Sequence, residues 1–156
     1  MTPALHVRDL MTAPALALRP LDDLTAALDL MAERHIRHIP IVDGEHDLVG
    51  LVSHRDVLRN CLTEQPDVPS FAERPLIEKL KIRDIMTVDV ETAAPDTALA
   101  EAAGIMLENK FGCLPVVEGG HLVGILTESD FVRFVAGLAA DAASRAVSIP
   151  ASGLRR

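Results

Sequence analysis

The chain contains two copies of one unit, and this internal duplication limits the possible folds more than any other feature. Residues 7–12 match residues 82–87, at an offset of about 75 residues, and residues 39–44 match residues 114–119 at the same offset. After one residue is lost in the next turn, the match resumes and runs into a second helix. Ordered matches of this length indicate duplication. We call the unit that begins at Val7 copy one and the unit that begins at Ile82 copy two.

Hydrophobic spacing predicts a β-α-β-β-α order in each copy. Leu24, Leu28 and Met31 recur at helical intervals in copy one, as their counterparts do in copy two. The apolar runs at residues 39–42 and 48–52, separated by a polar turn, predict a buried β-hairpin.

Two features are expected to precede the first helix of each copy. A short strand is predicted near residues 15–18 and again near residues 88–91. Asp22-Asp23 and Asp96-Thr97, which follow prolines, are candidate helix caps.

The length of 156 residues and a hydrophobic fraction of 49% fit one compact module with an aliphatic core, because aromatic residues make up only 3%. We expect copy one at residues 1–60, a proline-interrupted linker at residues 61–81 with a short helix near residues 76–81, and copy two at residues 82–140. Residues 141–156 are expected to hold the end of the last helix and a flexible tail.

The net charge of −8 argues against a nucleic-acid surface and against adhesion to anionic membranes. No apolar run approaches the roughly 20 residues that span a bilayer. The first residues lack the apolar segment of a signal peptide, and Cys61 and Cys113 occupy non-equivalent positions. These observations predict a cytoplasmic protein with free thiols.

Each copy carries the pattern Gly-x-x-Ser/Thr-x-x-Asp, at residues 50–56 and at residues 124–130. One interpretation is a helix cap, in which the hydroxyl and the carboxylate satisfy backbone groups. The other is a ligand site, because a helix start suits an anion and a carboxylate can accept hydrogen bonds from ribose hydroxyls. The two roles are compatible, and the pattern alone does not separate them.

Taken together, these features resemble a tandem pair of cystathionine-β-synthase (CBS) domains over residues 7–140. The resemblance rests on Asp-Leu-Met-Thr and Asp-Ile-Met-Thr at residues 9–12 and 84–87, on residues 37–43 and 112–118, and on both Gly-x-x-Ser/Thr-x-x-Asp motifs. It implies an α/β (α+β) fold of two repeats packed about a pseudo-two-fold axis, with two clefts that bind AMP, ADP, ATP, S-adenosylmethionine or NAD.

The resemblance also implies which residues form each cleft. It assigns to the first, the Asp130 cleft, residues Thr12, Leu16, Ile36, Arg37, His38, Thr127 and Asp130. It assigns to the second, the Asp56 cleft, residues Ser53, Asp56, Thr87, Val90, Phe111, Gly112 and Cys113. It places Leu51 and Ile125, which are equivalent in the two copies, against the base of a bound ligand.

Charge ranks the Asp130 cleft first, since Arg37 and His38 can meet a phosphate there while Gly112 and Cys113 offer no charge. The alternative is that His54 and Arg55, next to Ser53, supply the charge in the Asp56 cleft. A solvated Arg37 at a helix exit is the alternative for that residue. His35 and His38 lack a third ligand, so no metal site is predicted.

The function expected from the sequence is a ligand-sensing regulatory module that binds an adenine nucleotide, forms a homodimer and acts on an unknown effector protein. A homodimerising interaction module with vestigial clefts is the second interpretation. An enzyme is the weakest, because spacing places no pair of titratable groups for chemistry. No catalytic residue or required cofactor is predicted.

Overall fold

A computed structural model describes residues 3–61 and 79–147 of the chain. The elements of copy one are α1 (Val7–Leu10), α2 (Leu24–Arg34), β1 (His38–Val42), β2 (Leu48–Ser53) and α3 (His54–Cys61). The elements of copy two are α4 (Ile82–Ile85), α5 (Leu99–Asn109), β3 (Cys113–Glu118), β4 (His121–Thr127) and α6 (Glu128–Val147). This order confirms the predicted mixture of helices and small antiparallel sheets.

Both predicted hairpins are present. Strand β1 pairs antiparallel with β2, and Ile39 lies opposite Val52. Strand β3 pairs with β4 in the same register, and Leu114 lies opposite Leu126. All four of these side chains are fully buried, because helices cover the apolar faces that the sequence predicts.

The strand predicted before the first helix is reduced to one bridging residue. Leu18 forms an isolated parallel bridge with Ile41 in copy one, and Ala93 forms one with Val116 in copy two. The prediction of a strand at residues 88–91 was therefore wrong, since the bridge lies beyond it. Asp89, whose φ of 54° is left-handed, interrupts the extended backbone in that segment.

The predicted helix caps before α2 and α5 were also wrong. Asp23 precedes α2 but makes no side-chain cap hydrogen bond. The Asp22 carboxylate instead accepts from the Arg19 N–H at 2.7 Å, and the Thr97 hydroxyl accepts from the Ala94 N–H at 3.0 Å. These side chains close the turn that precedes each helix, so they are not available to the helix itself.

The first short helix of each copy packs into the core of the other copy. In the α1 segment, the Val7 N–H donates to the Thr97 carbonyl at 2.9 Å; in the α4 segment, the Ile82 N–H donates to the Asp22 carbonyl at 3.0 Å. Val7 and Ile82 are fully buried. Each packing unit therefore combines segments from both copies.

The two hydrophobic cores show this exchange in their membership. One core consists of Leu24, Ala27, Met31, Ile39, Ile41, Val52, Val57 and Ile82. The other consists of Val7, Ala93, Leu99, Ala102, Met106, Leu114, Val116 and Leu126.

The glycine that begins each motif lies beneath a methionine of the other copy. A Cβ atom on Gly50 would lie 2.7 Å from Met86 Sδ and 3.1 Å from the Thr87 carbonyl oxygen. A Cβ atom on Gly124 would lie 2.9 Å from Met11 Sδ. Only a residue without a side chain fits there, so these motifs and the Met-Thr segments form the joints between the copies.

Among the described residues, no helix has the length and the apolar character that a membrane span requires. The linker helix predicted near residues 76–81 falls mostly outside the described residues, and the tail from residue 148 falls wholly outside them.

Candidate functional site

Each motif forms a cap where a strand ends and a helix begins, and in copy one the cap is reciprocal. In copy one, the Ser53 N–H and hydroxyl both donate to Asp56 Oδ2 at 2.8 Å, and the Asp56 N–H donates back to the Ser53 hydroxyl at 3.1 Å. In copy two, the Thr127 N–H donates to Asp130 Oδ2 at 2.8 Å. The capping interpretation of the motif therefore holds in both copies, and it occupies one oxygen of each carboxylate.

The second oxygen of Asp130 is occupied as well. Asp130 Oδ1 accepts from the Thr12 hydroxyl at 3.1 Å and from the Arg133 guanidinium at 2.5 Å. The Asp130 side chain is 3% exposed. This carboxylate has donors on both oxygens and little access to solvent.

The second oxygen of Asp56 is different. Within the described residues, Asp56 Oδ1 accepts no hydrogen bond from a side chain or from the backbone. Asp56 is half-buried, and it lines an open cleft. Its free oxygen can therefore accept a hydrogen bond from a ligand.

This cleft has a volume of about 830 Å³ and takes its walls from both copies. Its size lies within the range of about 300–1,000 Å³ that is usual for small-molecule sites. It brings together every residue that the sequence assigns to the Asp56 cleft: Leu51, Ser53, Asp56, Thr87, Val90, Phe111, Gly112 and Cys113.

Arg37 and His38 also line this cleft, although the sequence assigns them to the Asp130 cleft. The His38 ring lies against Gly112, where an added Cβ would be 2.8 Å from His38 Cε1. Because Gly112 has no side chain, the larger ring of the opposite copy fills the space between the copies. The part of the charge argument that rests on Arg37 therefore applies to the Asp56 cleft and not to the Asp130 cleft.

The remaining assigned residues lie elsewhere. Ile36 lines a smaller cavity of about 360 Å³ beside Arg37 and His54. Ile125 is buried and exchanges two main-chain hydrogen bonds with Thr12, of 2.9 and 3.0 Å. Leu16 is 41% exposed.

Two groups in the Asp56 cleft have shifted pKa values. Burial lowers the pKa of His38, while Glu128 and Asp56 oppose this effect and Arg37 adds to it. Burial raises the pKa of the Cys113 thiol to about 12, with a smaller contribution from Glu128. His38 is therefore mostly neutral at pH 7, and Cys113 is a thiol and not a nucleophilic thiolate.

Several cleft residues were missed by the sequence reasoning. Arg59 follows Asp56 by one helical turn, and this spacing was a signal that it would share a face with the carboxylate. Lys110 follows the last residue of α5 in a left-handed conformation, which only the structure reveals. The other missed lining residues are Leu58, Asp89, Glu91, Asn109 and Glu128. His54 and Arg55, which follow Ser53 in the sequence, also line the cleft.

No three His, Cys, Asp or Glu side chains within residues 3–61 and 79–147 come close enough to hold a metal ion.

Comparison with known proteins identifies the duplicated unit. The CBS domain family matches residues 7–63 and again residues 82–137. Among curated proteins, the chain is similar to the uncharacterized protein MJ1225 of Methanocaldococcus jannaschii, with 33% identity over 129 residues. That match covers 83% of this chain but only 42% of MJ1225, so the chain spans less than half of that relative.

Solved structures share the fold over most of their length. A candidate acetoin utilization protein (AcuB) from Vibrio cholerae is 37% identical, with a TM-score of 0.75, covering 87% of this chain and 93% of that one. CBSX2 of Arabidopsis thaliana in complex with AMP is 33% identical, with a TM-score of 0.70 and coverage of 85% and 97%. The pair of such domains in MJ0100, in complex with 5′-methylthioadenosine and S-adenosyl-L-methionine, is 27% identical, with a TM-score of 0.70 and coverage of 86% and 98%.

Proposed function

The chain belongs to the CBS domain family as a tandem pair, and from this premise we propose that it is a regulatory module that binds an adenosine-containing ligand in the Asp56 cleft. The observation that carries the proposal is the open cleft of about 830 Å³ with an unoccupied carboxylate oxygen in its wall. The AMP complex of CBSX2 and the methylthioadenosine and S-adenosylmethionine complex of MJ0100 support this class of ligand.

The lining residues fit the parts of such a ligand. Asp56 Oδ1 accepts a hydrogen bond from a ribose hydroxyl, while Oδ2 keeps its hydrogen bonds from the Ser53 N–H and hydroxyl. Leu51 and Phe111 offer apolar surface to an adenine ring. Arg37 and Lys110, which make no ion pair among the described residues, are free to bind a phosphate.

A ligand in this position affects how the two copies pack against each other. Asp56 and Phe111 line the same cleft but come from different copies, so a bound nucleotide contacts both. Binding then favours the packing of the copies in which both sets of contacts form, to the extent of the difference in affinity. An effector protein that distinguishes this packing would receive the signal, and the role is regulatory and not catalytic.

The test measures unfolding in the presence of AMP, ADP, ATP, S-adenosylmethionine, 5′-methylthioadenosine and NAD. A ligand at 100 times its dissociation constant raises the free energy of unfolding by about 2.7 kcal/mol. Asp56→Asn should abolish the response, because the amide replaces a charged acceptor. The matched control is Asp29→Asn, an exposed α2 position outside the cleft. Failure of every compound to stabilise the protein refutes the proposal.

The second candidate function, a homodimerising interaction module with vestigial clefts, is favoured by one surface. Val132, Val135 and Leu138 are 67%, 62% and 54% exposed and lie about one helical turn apart on α6. We propose that a second copy of the chain covers this face. Light scattering should show a dimer that Val135→Glu dissociates and that Val88→Glu, at an exposed position before α5, leaves intact. A monomeric wild-type protein would exclude this role.

A further inference from the structure

The same three residue types surround the motif carboxylate in both copies. Asp56 and Asp130 align, as do the threonines of the Met-Thr segments, Thr87 and Thr12. The arginine one turn after each carboxylate also aligns, with Arg59 in copy one and Arg133 in copy two. The two carboxylates are nevertheless in different states, and the difference lies in side-chain arrangement and not in composition.

In copy two the three side chains are joined. Thr12 and Arg133 both donate to Asp130 Oδ1, at 3.1 and 2.5 Å. Thr127 donates to Oδ2 through its N–H at 2.8 Å and its hydroxyl at 3.3 Å. We call the Thr12, Asp130 and Arg133 contacts the latch. Because Thr12 lies in the segment that begins copy one, the latch also ties the two copies together.

In copy one the equivalent side chains are apart. Thr87 and Arg59 make no hydrogen bond to Asp56 within the described residues, and both line the cleft of about 830 Å³. Thr12, Asp130 and Arg133 are absent from the lining of that cleft. A threonine, an aspartate and an arginine therefore form the closed arrangement in copy two and adopt an open arrangement in copy one.

We infer that the latch blocks the Asp130 cleft. The chain then binds its first ligand in the Asp56 cleft, and it binds a second ligand in the Asp130 cleft only after the latch opens. This inference rests on the proposed function and adds a mechanism that makes the clefts unequal. A ribose needs the oxygen that Thr12 and Arg133 occupy, so the ligand must displace both donors. The apparent affinity of the Asp130 cleft is reduced by the small fraction of molecules in which the latch is open.

The latch also connects the second site to the packing of the copies. Opening it releases α6 from the Thr12 segment, which remains bonded to Ile125 through main-chain hydrogen bonds. A second ligand therefore replaces the direct Thr12–Asp130 contact between the copies with its own contacts to both copies.

The test measures AMP binding, and in parallel S-adenosylmethionine binding, by isothermal titration calorimetry and equilibrium dialysis. The wild-type chain should show two sites whose affinities differ by at least about tenfold. Arg133→Gln removes one donor and should strengthen the weak site. Thr12→Val combined with Arg133→Gln removes both and should strengthen it further, by about tenfold over the wild-type value. Arg133 is 68% exposed, so the single variant should fold normally if the double variant does not.

The opposite cleft supplies the matched comparison. Thr87→Val with Arg59→Gln changes the aligned residues of the open cleft and should weaken the strong site without strengthening the weak one. Equal affinities in the wild-type chain, or a weak site unchanged in folded Arg133→Gln, would overturn the latch. A strong site that Asp56→Asn abolishes supports the proposed function whatever the latch variants show. Absence of any binding by either compound refutes both proposals.

Discussion

Replacing Gly50 with alanine should destabilise the protein through a clash at the joint between the copies. The new Cβ would lie 2.7 Å from Met86 Sδ and 3.1 Å from the Thr87 carbonyl oxygen. The methionine tail can rotate away, but the carbonyl accepts a 2.9 Å hydrogen bond from Leu51, and the Thr87 N–H donates an equal one in return. The backbone must therefore move, and both of these hydrogen bonds lengthen.

The expected cost follows from two opposing effects. Overpacking of this kind costs about 1–3 kcal/mol. Alanine recovers about 0.5–1 kcal/mol relative to glycine, because the unfolded chain loses conformational freedom. The net loss is about 0–2.5 kcal/mol, which for a chain of this size lowers the Tm by up to about 10 °C. Thermal and urea unfolding followed by circular dichroism measure both quantities.

A second glycine provides the control for this substitution. Gly104 lies within α5, and no heavy atom lies within 4 Å of a Cβ built on it. Gly104→Ala should stabilise the protein by about 0.5–1 kcal/mol, through helix propensity and reduced entropy of the unfolded chain. If Gly50→Ala raises the Tm as Gly104→Ala does, the joint is not closely packed and the reasoning fails.

Three further substitutions or reactions test the packing and the cleft. Ile82→Ala should cost about 2–5 kcal/mol in urea unfolding, because Ile82 completes the core of the other copy; Leu107→Ala, at 80% exposure, should cost less than about 0.5 kcal/mol. Because burial lowers the pKa of His38 in the folded protein, the unfolded chain binds a proton at this residue first as the pH falls. The free energy of unfolding is therefore fully retained above about pH 6.5, and it decreases as the pH falls from there towards the lower pKa of the folded state. His38→Gln should flatten that acid-side decline, and an unchanged slope would contradict it. With a pKa of about 12, Cys113 should resist iodoacetamide at pH 7.5 in the folded protein and react in urea, as peptide mass spectrometry can show.

The sequence predicted the scaffold well because duplication and hydrophobic spacing report directly on burial. The hairpins, the helices and the grouping of Asp56 with Thr87 and Phe111 all followed from pattern and resemblance. The packing of α1 and α4 in the core of the other copy could not be predicted from the sequence. Aligning the two copies shows which residues are equivalent, but it does not show in which core each residue packs.

The state of each cleft could not be read from the sequence for a related reason. Thr12, Asp130 and Arg133 have the same identities as their counterparts in copy one, so only side-chain arrangement separates the closed site from the open one. Arg37 and His38 were predicted to be near a phosphate site, but on the opposite cleft. The absence of a side chain at Gly112, which admits the His38 ring, accounts for the difference.

The exchange of the first short helices has a consequence for a chain of half this length. Alone, copy one would carry α1 with no partner core, and its own core would lack the isoleucine that α4 supplies. Such a chain could complete both cores only by pairing with a second molecule, and its stability would then rise with its concentration. Covalent linkage replaces that second-order encounter with a fixed effective concentration set by the linker. The joined chain completes both cores within one molecule, so its folding does not depend on how much protein is present.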